Sequence, residues 1–89
     1  METIYKYPLT FGRGSKAIEM PAVSSVLTIQ MQGDTPMLWA LVDDQYANTT
    51  RFINVYFTGE HIPQNPGVYI ETYQQTNGLV CHAFDGGLL

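Results

Sequence analysis

An all-β fold, a small antiparallel sandwich or partly closed barrel of about seven short strands, follows from three features of the sequence. Apolar and polar residues alternate with a period of two in several short stretches, as they do in a pleated strand with one buried face. Clusters of glycine, proline, asparagine and aspartate separate those stretches at close intervals. No stretch of helical length carries a helical period, and no segment repeats.

Thr3 to Phe11 is rich in β-branched and aromatic residues, but Pro8 cannot donate to a ladder and so predicts an edge strand or a break. Gly12-Arg13-Gly14-Ser15 reads as a turn, and Lys16 to Met20 as the return strand of a first hairpin that Pro21 stops. Ala22 to Ser25 leaves room for little more than a turn. Leu27, Ile29 and Met31 alternate with Thr28, Gln30 and Gln32, which predicts one apolar and one polar face. Gly33-Asp34-Thr35-Pro36 then reverses the chain, since glycine tolerates positive φ and proline fixes its own. Met37 to Val42 is apolar without alternation, as in a strand covered on both faces. It is therefore expected at the centre of a sheet, with Trp39 as a core residue and the hairpin from Val26 to Asp43 as the organising element.

Asp44 to Thr50 is polar and reads as the longest exposed loop. Arg51 to Thr58 restores the strand pattern and is expected beside the tryptophan strand. Gly59 to Gly67, with Pro63 and Pro66, is a connection. Val68 to Gln74 alternates again, and Asn77-Gly78 is the strongest hairpin signal in the chain, placed before a last strand from Leu79 to Phe84. Asp85 to Leu89 reads as a tail, and the short connections predict a meander-like second half.

Eighty-nine residues predict one domain, residues 1–89, with a thin stability margin. The single cysteine, Cys81, allows no internal disulfide, and the start Met1-Glu2-Thr3-Ile4 does not resemble a signal peptide. A cytoplasmic protein without membrane association is expected. The net charge of −4 argues against duplex DNA as a partner. Charge is uneven: Lys6, Arg13 and Lys16 crowd the N-terminal part, while Arg51 is the only basic residue after it.

The chemistry-bearing residues form no catalytic or metal-binding pattern. Cys81 and His82 are adjacent on a predicted strand and point to opposite faces, and His61 has no partner at ligand spacing. Ser24 and Ser25 lack a nucleophile-elbow context, and the adjacent carboxylates Asp43 and Asp44 sit where a strand ends and a turn begins. Neither an enzyme nor a cofactor is expected. Gly12-Arg13-Gly14-Ser15-Lys16 has the glycines and cations to cradle an anion, without phosphate-loop spacing or a following helix. Tyr5, Tyr7, Tyr46, Tyr56, Tyr69 and Tyr73 favour a binding surface without naming its ligand.

Taken with Ile4-Tyr5-Lys6-Tyr7, Leu38-Trp39-Ala40-Leu41-Val42-Asp43, Thr58-Gly59-Glu60-His61-Ile62 and Gly78-Leu79-Val80-Cys81-His82-Ala83-Phe84, nearly the whole chain resembles a family of short, functionally uncharacterised phage and prophage proteins. The resemblance implies a viral context and brings no catalytic residue with it. In that setting the leading expectation is a phage-encoded protein that inhibits a host antiviral defence system by direct protein binding, acting in the host cytoplasm. Asp43, Asp44 and Tyr46 are its candidate contacts, because an acidic surface can occupy a basic groove. The alternative is a sponge that sequesters a signalling nucleotide at Arg13 and Lys16 with an aromatic neighbour, Tyr5 also being a binding candidate. A structural or accessory phage protein is the third reading. Exposed edge strands on so small a domain favour a homo-oligomer in each case.

Overall fold

The computed structural model describes residues 1–89. Its strands are β1 (Glu2–Pro8), β2 (Gly14–Pro21), β3 (Ser24–Gln32), β4 (Thr35–Asp43), β5 (Asn48–Phe57), β6 (Val68–Gln74) and β7 (Val80–Leu88). Two antiparallel sheets, ordered β1-β4-β3 and β2-β5-β7-β6, form a small sandwich. It is not a closed barrel. The core lies between the layers, where alternate residues of each strand meet: Leu38, Ala40 and Val42 from β4, Ile53 and Val55 from β5, and Cys81 and Ala83 from β7.

β4 is the centre of its sheet, and the β3–β4 and β6–β7 hairpins form where their turns are written. The second turn uses Gly78 at a φ of +91°, a conformation that residues with a side chain rarely adopt. The expected first hairpin does not form. β1 pairs with β4 and β2 with β5, so the chain changes layer between Pro8 and Gly14. Leu9 explains why: it is buried in the core, and its N–H donates to the Pro36 carbonyl at 2.9 Å, which pins the crossing point to the start of β4.

β5 likewise does not join the tryptophan strand, and lies between β2 and β7 in the opposite sheet. The segment from Asp44 to Ala47 carries the chain across, with the Ala22 N–H donating to the Ala47 carbonyl at 3.0 Å so that two layer crossings run side by side. Since β5 begins at Asn48, the longest irregular segment is the connection between β5 and β6. That connection rules out a meander, because β6 pairs with β7 and not with β5. It lies across the outside of the sheet as a strap, where the Asn54 side-chain amide donates to the Pro66 carbonyl at 2.8 Å. Gly67 makes the close approach: a Cβ there would stand 2.2 Å from the Asp85 carbonyl oxygen. The expected tail is the last part of β7, which runs to Leu88.

Two further expectations give way to packing. A β-bulge between Val26 and Thr28 shifts the phase of β3, so that Val26, Ile29 and Met31 face the core and Leu27 is 50% exposed. Thr28 reaches across the open side of the sandwich and donates to Glu71 of β6 at 2.7 Å. Trp39 is not a core residue. It stands half-buried on the outer face, because Leu38, Ala40 and Val42 already fill the inner positions of β4.

The layers are also joined by a charge. Arg51 of β5, 6% exposed, points into the sandwich between Ile18 and Leu88. One guanidinium nitrogen donates to the Asp85 carboxylate at 2.6 Å, another donates to the Ser24 carbonyl and hydroxyl oxygens at 3.0 Å, and Nε approaches the Met20 sulfur at 3.2 Å. The group thereby ties β5 to β7 in its own sheet and to β3 in the other. Arg51→Ala is expected to lower the free energy of unfolding by about 3 kcal/mol or more, since it leaves Asp85 without its cation. Lys6→Ala, on the exposed surface, should change it by only about 0.5 kcal/mol or less. Urea denaturation of both variants checks the difference, and equal effects would overturn this role for Arg51.

Candidate functional site

The candidate binding residues separate into groups at opposite ends of β1. Asp43 and Asp44 lie at the Glu2 end, where both carboxylates face the Met1 ammonium, at 3.0 and 3.4 Å. The hydrogen bond from that ammonium holds the Asp43 carboxyl below the usual aspartate range. Tyr46 is exposed on the turn that follows, with its N–H on the Asp43 carbonyl at 3.3 Å. Arg13 and Lys16 lie beyond the Pro8 end, about 20 Å away at about 3.3 Å of rise per strand residue. Tyr5 belongs to neither group: it sits midway along β1 with its ring edge-on to Tyr7, at a centroid separation of 6.5 Å.

The outer face of the β1-β4-β3 sheet was hidden in the sequence, because its main side chains read as core residues. Trp39 and Leu41 of β4 point outward from the row opposite to Leu38, Ala40 and Val42. Ile4 of β1 pairs with Leu41 and is 56% exposed, and Leu27 is the unpaired residue of the bulge, next to Thr28, the partner of Trp39. The Lys6 ammonium lies 5.6 Å from the centroid of the Trp39 ring and donates to the Gln32 side chain at 2.9 Å. Glu2 and Asp43 are paired at the far end of the same face, so an apolar strip passes into an acidic margin. The one available sequence signal was the absence of alternation in β4, which marks two apolar faces without saying that the second is left open.

Arg13 and Lys16 share a cavity of about 310 Å³ between the β1–β2 crossover and the free edge of β2. Lys16 occupies an inward position of β2, opposite Ile53, and its ammonium donates to the Thr10 hydroxyl at 2.8 Å. Burial pulls its pKa down. Arg13 is paired with Glu60 of the strap at 3.3 Å, while the other Glu60 oxygen accepts the Phe57 N–H at 2.9 Å. The crossover itself is held by Gln75, whose buried side-chain oxygen accepts the Gly12 N–H at 2.7 Å.

On the outside of the other sheet, Phe84 packs edge-on to Tyr56 and Tyr69, and His82 lies one row away. Both imidazole nitrogens are engaged, Nε2 with Thr58 at 2.7 Å and Nδ1 with Thr72 at 3.0 Å. Cys81 points the other way, into the core, and no group of three or more His, Cys, Asp or Glu side chains is placed to hold a metal ion.

The family model described as a domain of unknown function (DUF7352) matches residues 1–87. No curated protein and no solved structure gives a significant match. The chain has no helix long and apolar enough to cross a membrane.

Beneath the cavity end of the sandwich, Tyr73 and Cys81 are cross-strand partners, and the Tyr73 hydroxyl is buried with no hydrogen-bond partner. The neighbouring thiol is too weak an acceptor and donor to satisfy it. Burial raises both pKa values, so each group favours its neutral form in the folded protein. Their contribution to stability is complete below the ordinary thiol pKa of 9.0 and is lost as pH rises through the raised folded values. The urea midpoint should therefore fall above about pH 9, and Cys81→Ala should flatten that fall. Tyr73→Phe should be neutral or stabilising by about 1 kcal/mol at pH 7, because it removes an unpaired buried hydroxyl. A marked loss in this variant would show that the hydroxyl is satisfied.

Proposed function

We propose that this chain, which belongs to the DUF7352 family of domains of unknown function, is a non-catalytic protein that docks a protein partner on the outer face of its β1-β4-β3 sheet. The partner in this reading is a host antiviral defence component, and the chain is its phage-encoded inhibitor. The phage setting rests on the sequence resemblance. One structural observation carries the docking surface: the only tryptophan stands on an open sheet face beside Ile4, Leu27 and Leu41, when burial in the core would be its ordinary use.

Tryptophan is among the residues that most often dominate binding energy, because a rigid indole buries a large area with little loss of side-chain freedom. Here it stands next to the Ile4–Leu41 pair, with a polar and charged margin: Lys6 and Thr28 on either side of it, and Glu2 with Asp43 at the end. A dry centre with a wet rim is the ordinary anatomy of a protein interface. The acidic end and the net charge of −4 favour a basic groove on the partner and raise the rate of encounter with it.

Expression of the chain in cells that carry the targeted defence system should restore phage plating. The double variant Trp39→Ala/Leu41→Ser should weaken partner binding by about thirtyfold or more, the effect of losing a contact of about 2 kcal/mol. It should abolish the rescue while leaving the folded β signature in circular dichroism intact. Asp43→Asn with Asp44→Asn should slow association and reduce its salt dependence. Full rescue by the folded Trp39/Leu41 variant would overturn the assignment of this face.

A further inference from the structure

We infer that the cavity between the β1–β2 crossover and the free edge of β2 is an anion site for a phosphate monoester of about mononucleotide size, with Arg13 and Lys16 as its cations and Glu60 as an internal counter-ion that the ligand displaces. The inference goes beyond the protein-docking reading and does not depend on it. The cavity also supplies a location for the alternative of nucleotide sequestration.

The distribution of charge is the first argument. The chain has only four basic residues. Lys6 lies over the Trp39 ring, and Arg51 is buried against Asp85. The remaining two both line this cavity, where the one acidic neighbour is Glu60 of the strap, paired with Arg13. In a protein of net charge −4, that places its available positive charge at a single concave site.

The state of each cation is the second. Lys16 points inward at the open end of the sandwich and meets neutral oxygens only, the Thr10 hydroxyl at 2.8 Å and the Phe11 carbonyl at 3.5 Å. A partly buried ammonium without a carboxylate partner is stabilised by an arriving anion more than a fully solvated one would be. Arg13 does have a carboxylate, but at 3.3 Å the contact is longer than a strong charge-assisted bond, and its side chain is 62% exposed. Glu60 is held in place independently by the Phe57 N–H. It can therefore release Arg13 without leaving the end of β5.

Shape gives the ligand class. A volume of about 310 Å³ is at the small end of sites that enclose organic ligands, too large for a lone phosphate and sufficient for a mononucleotide. Hydroxyls of Thr10 and Ser15 accompany the cations, while Leu9, Phe11 and Ile18 supply an apolar wall. As an edge strand, β2 also has peptide groups on its free side without ladder partners. The competing account is that Lys16 is an inward-facing charge that guards an open edge against pairing with other chains. That account predicts no ligand and no effect of Glu60.

Inorganic phosphate and adenosine 5′-monophosphate, titrated into the full chain, separate these readings. Both should shift backbone amide resonances from Thr10 to Lys16, with the nucleotide binding more tightly. Arg13→Ala and Lys16→Gln should each weaken binding about tenfold, as for the loss of one charge-assisted contact of about 1.4 kcal/mol. Glu60→Gln should strengthen it severalfold, since the competing charge goes while an acceptor for Phe57 remains. Trp39→Ala should leave it unchanged. No shift with either probe, nucleotide binding no tighter than phosphate, or weaker binding by Glu60→Gln would each overturn the site.

Discussion

A buried guanidinium joins the two layers of this sandwich, and the arrangement of the rest follows from it. Arg51 sits where β2, β5 and β7 run side by side, opposite Ile18 and Leu88, and reaches Ser24 at the start of β3. A charge placed there is tolerable only if its hydrogen-bonding capacity is met, because desolvation costs several kcal/mol per ion. Asp85 and the Ser24 oxygens meet it. The irregular course of β7 near its end serves the same contact: the register shifts opposite Phe52 and Ile53, and the Asp85 carboxylate accepts both the Arg51 guanidinium and the Gly87 N–H. The bonds to Ser24 fix how the sheets meet more strictly than apolar packing does, since apolar side chains tolerate small slips that a hydrogen-bonded buried charge does not.

The repeated crossing between layers determines which surfaces remain free. Each crossing is tied down by specific bonds: Leu9 to Pro36, Ala22 to Ala47, and Gly12 to Gln75. The β5–β6 strap covers part of the outside of one sheet through Asn54 and Gly67. Nothing comparable lies over Trp39 and Leu41, so an apolar strip stays on the surface of a small protein that has little apolar material to spare. The same geometry opens a cavity at the β1–β2 crossover, where the chain leaves one layer before reaching the other. The open face and the cavity are thus products of one topology, with different chemistries: one apolar with an acidic end, the other cationic.

The sequence by itself determined the strands and their class. Hydrophobic patterning and turn chemistry are local properties: alternation located β6, an unbroken apolar run after a turn located β4, and Asn77-Gly78 marked its own turn, because neighbouring residues decide all three. The same local logic put Arg13 and Lys16 near one another and Asp43 beside Asp44. What only the tertiary structure decided is which strand lies beside which, and which apolar face is left open. The first hairpin failed because Leu9 gains more by burial in a core made by distant strands than it would in the edge strand of a local hairpin. Leu27 was misread because one bulge residue inverts the phase of a strand, and nothing in its own sequence records the inversion. Nothing in the residues around Arg51 marks it as buried, because its partners Ser24 and Asp85 stand 27 and 34 residues away. Trp39 read as core because hydrophobicity states a preference for burial, while the positions available inside are allotted by the packing of both sheets together.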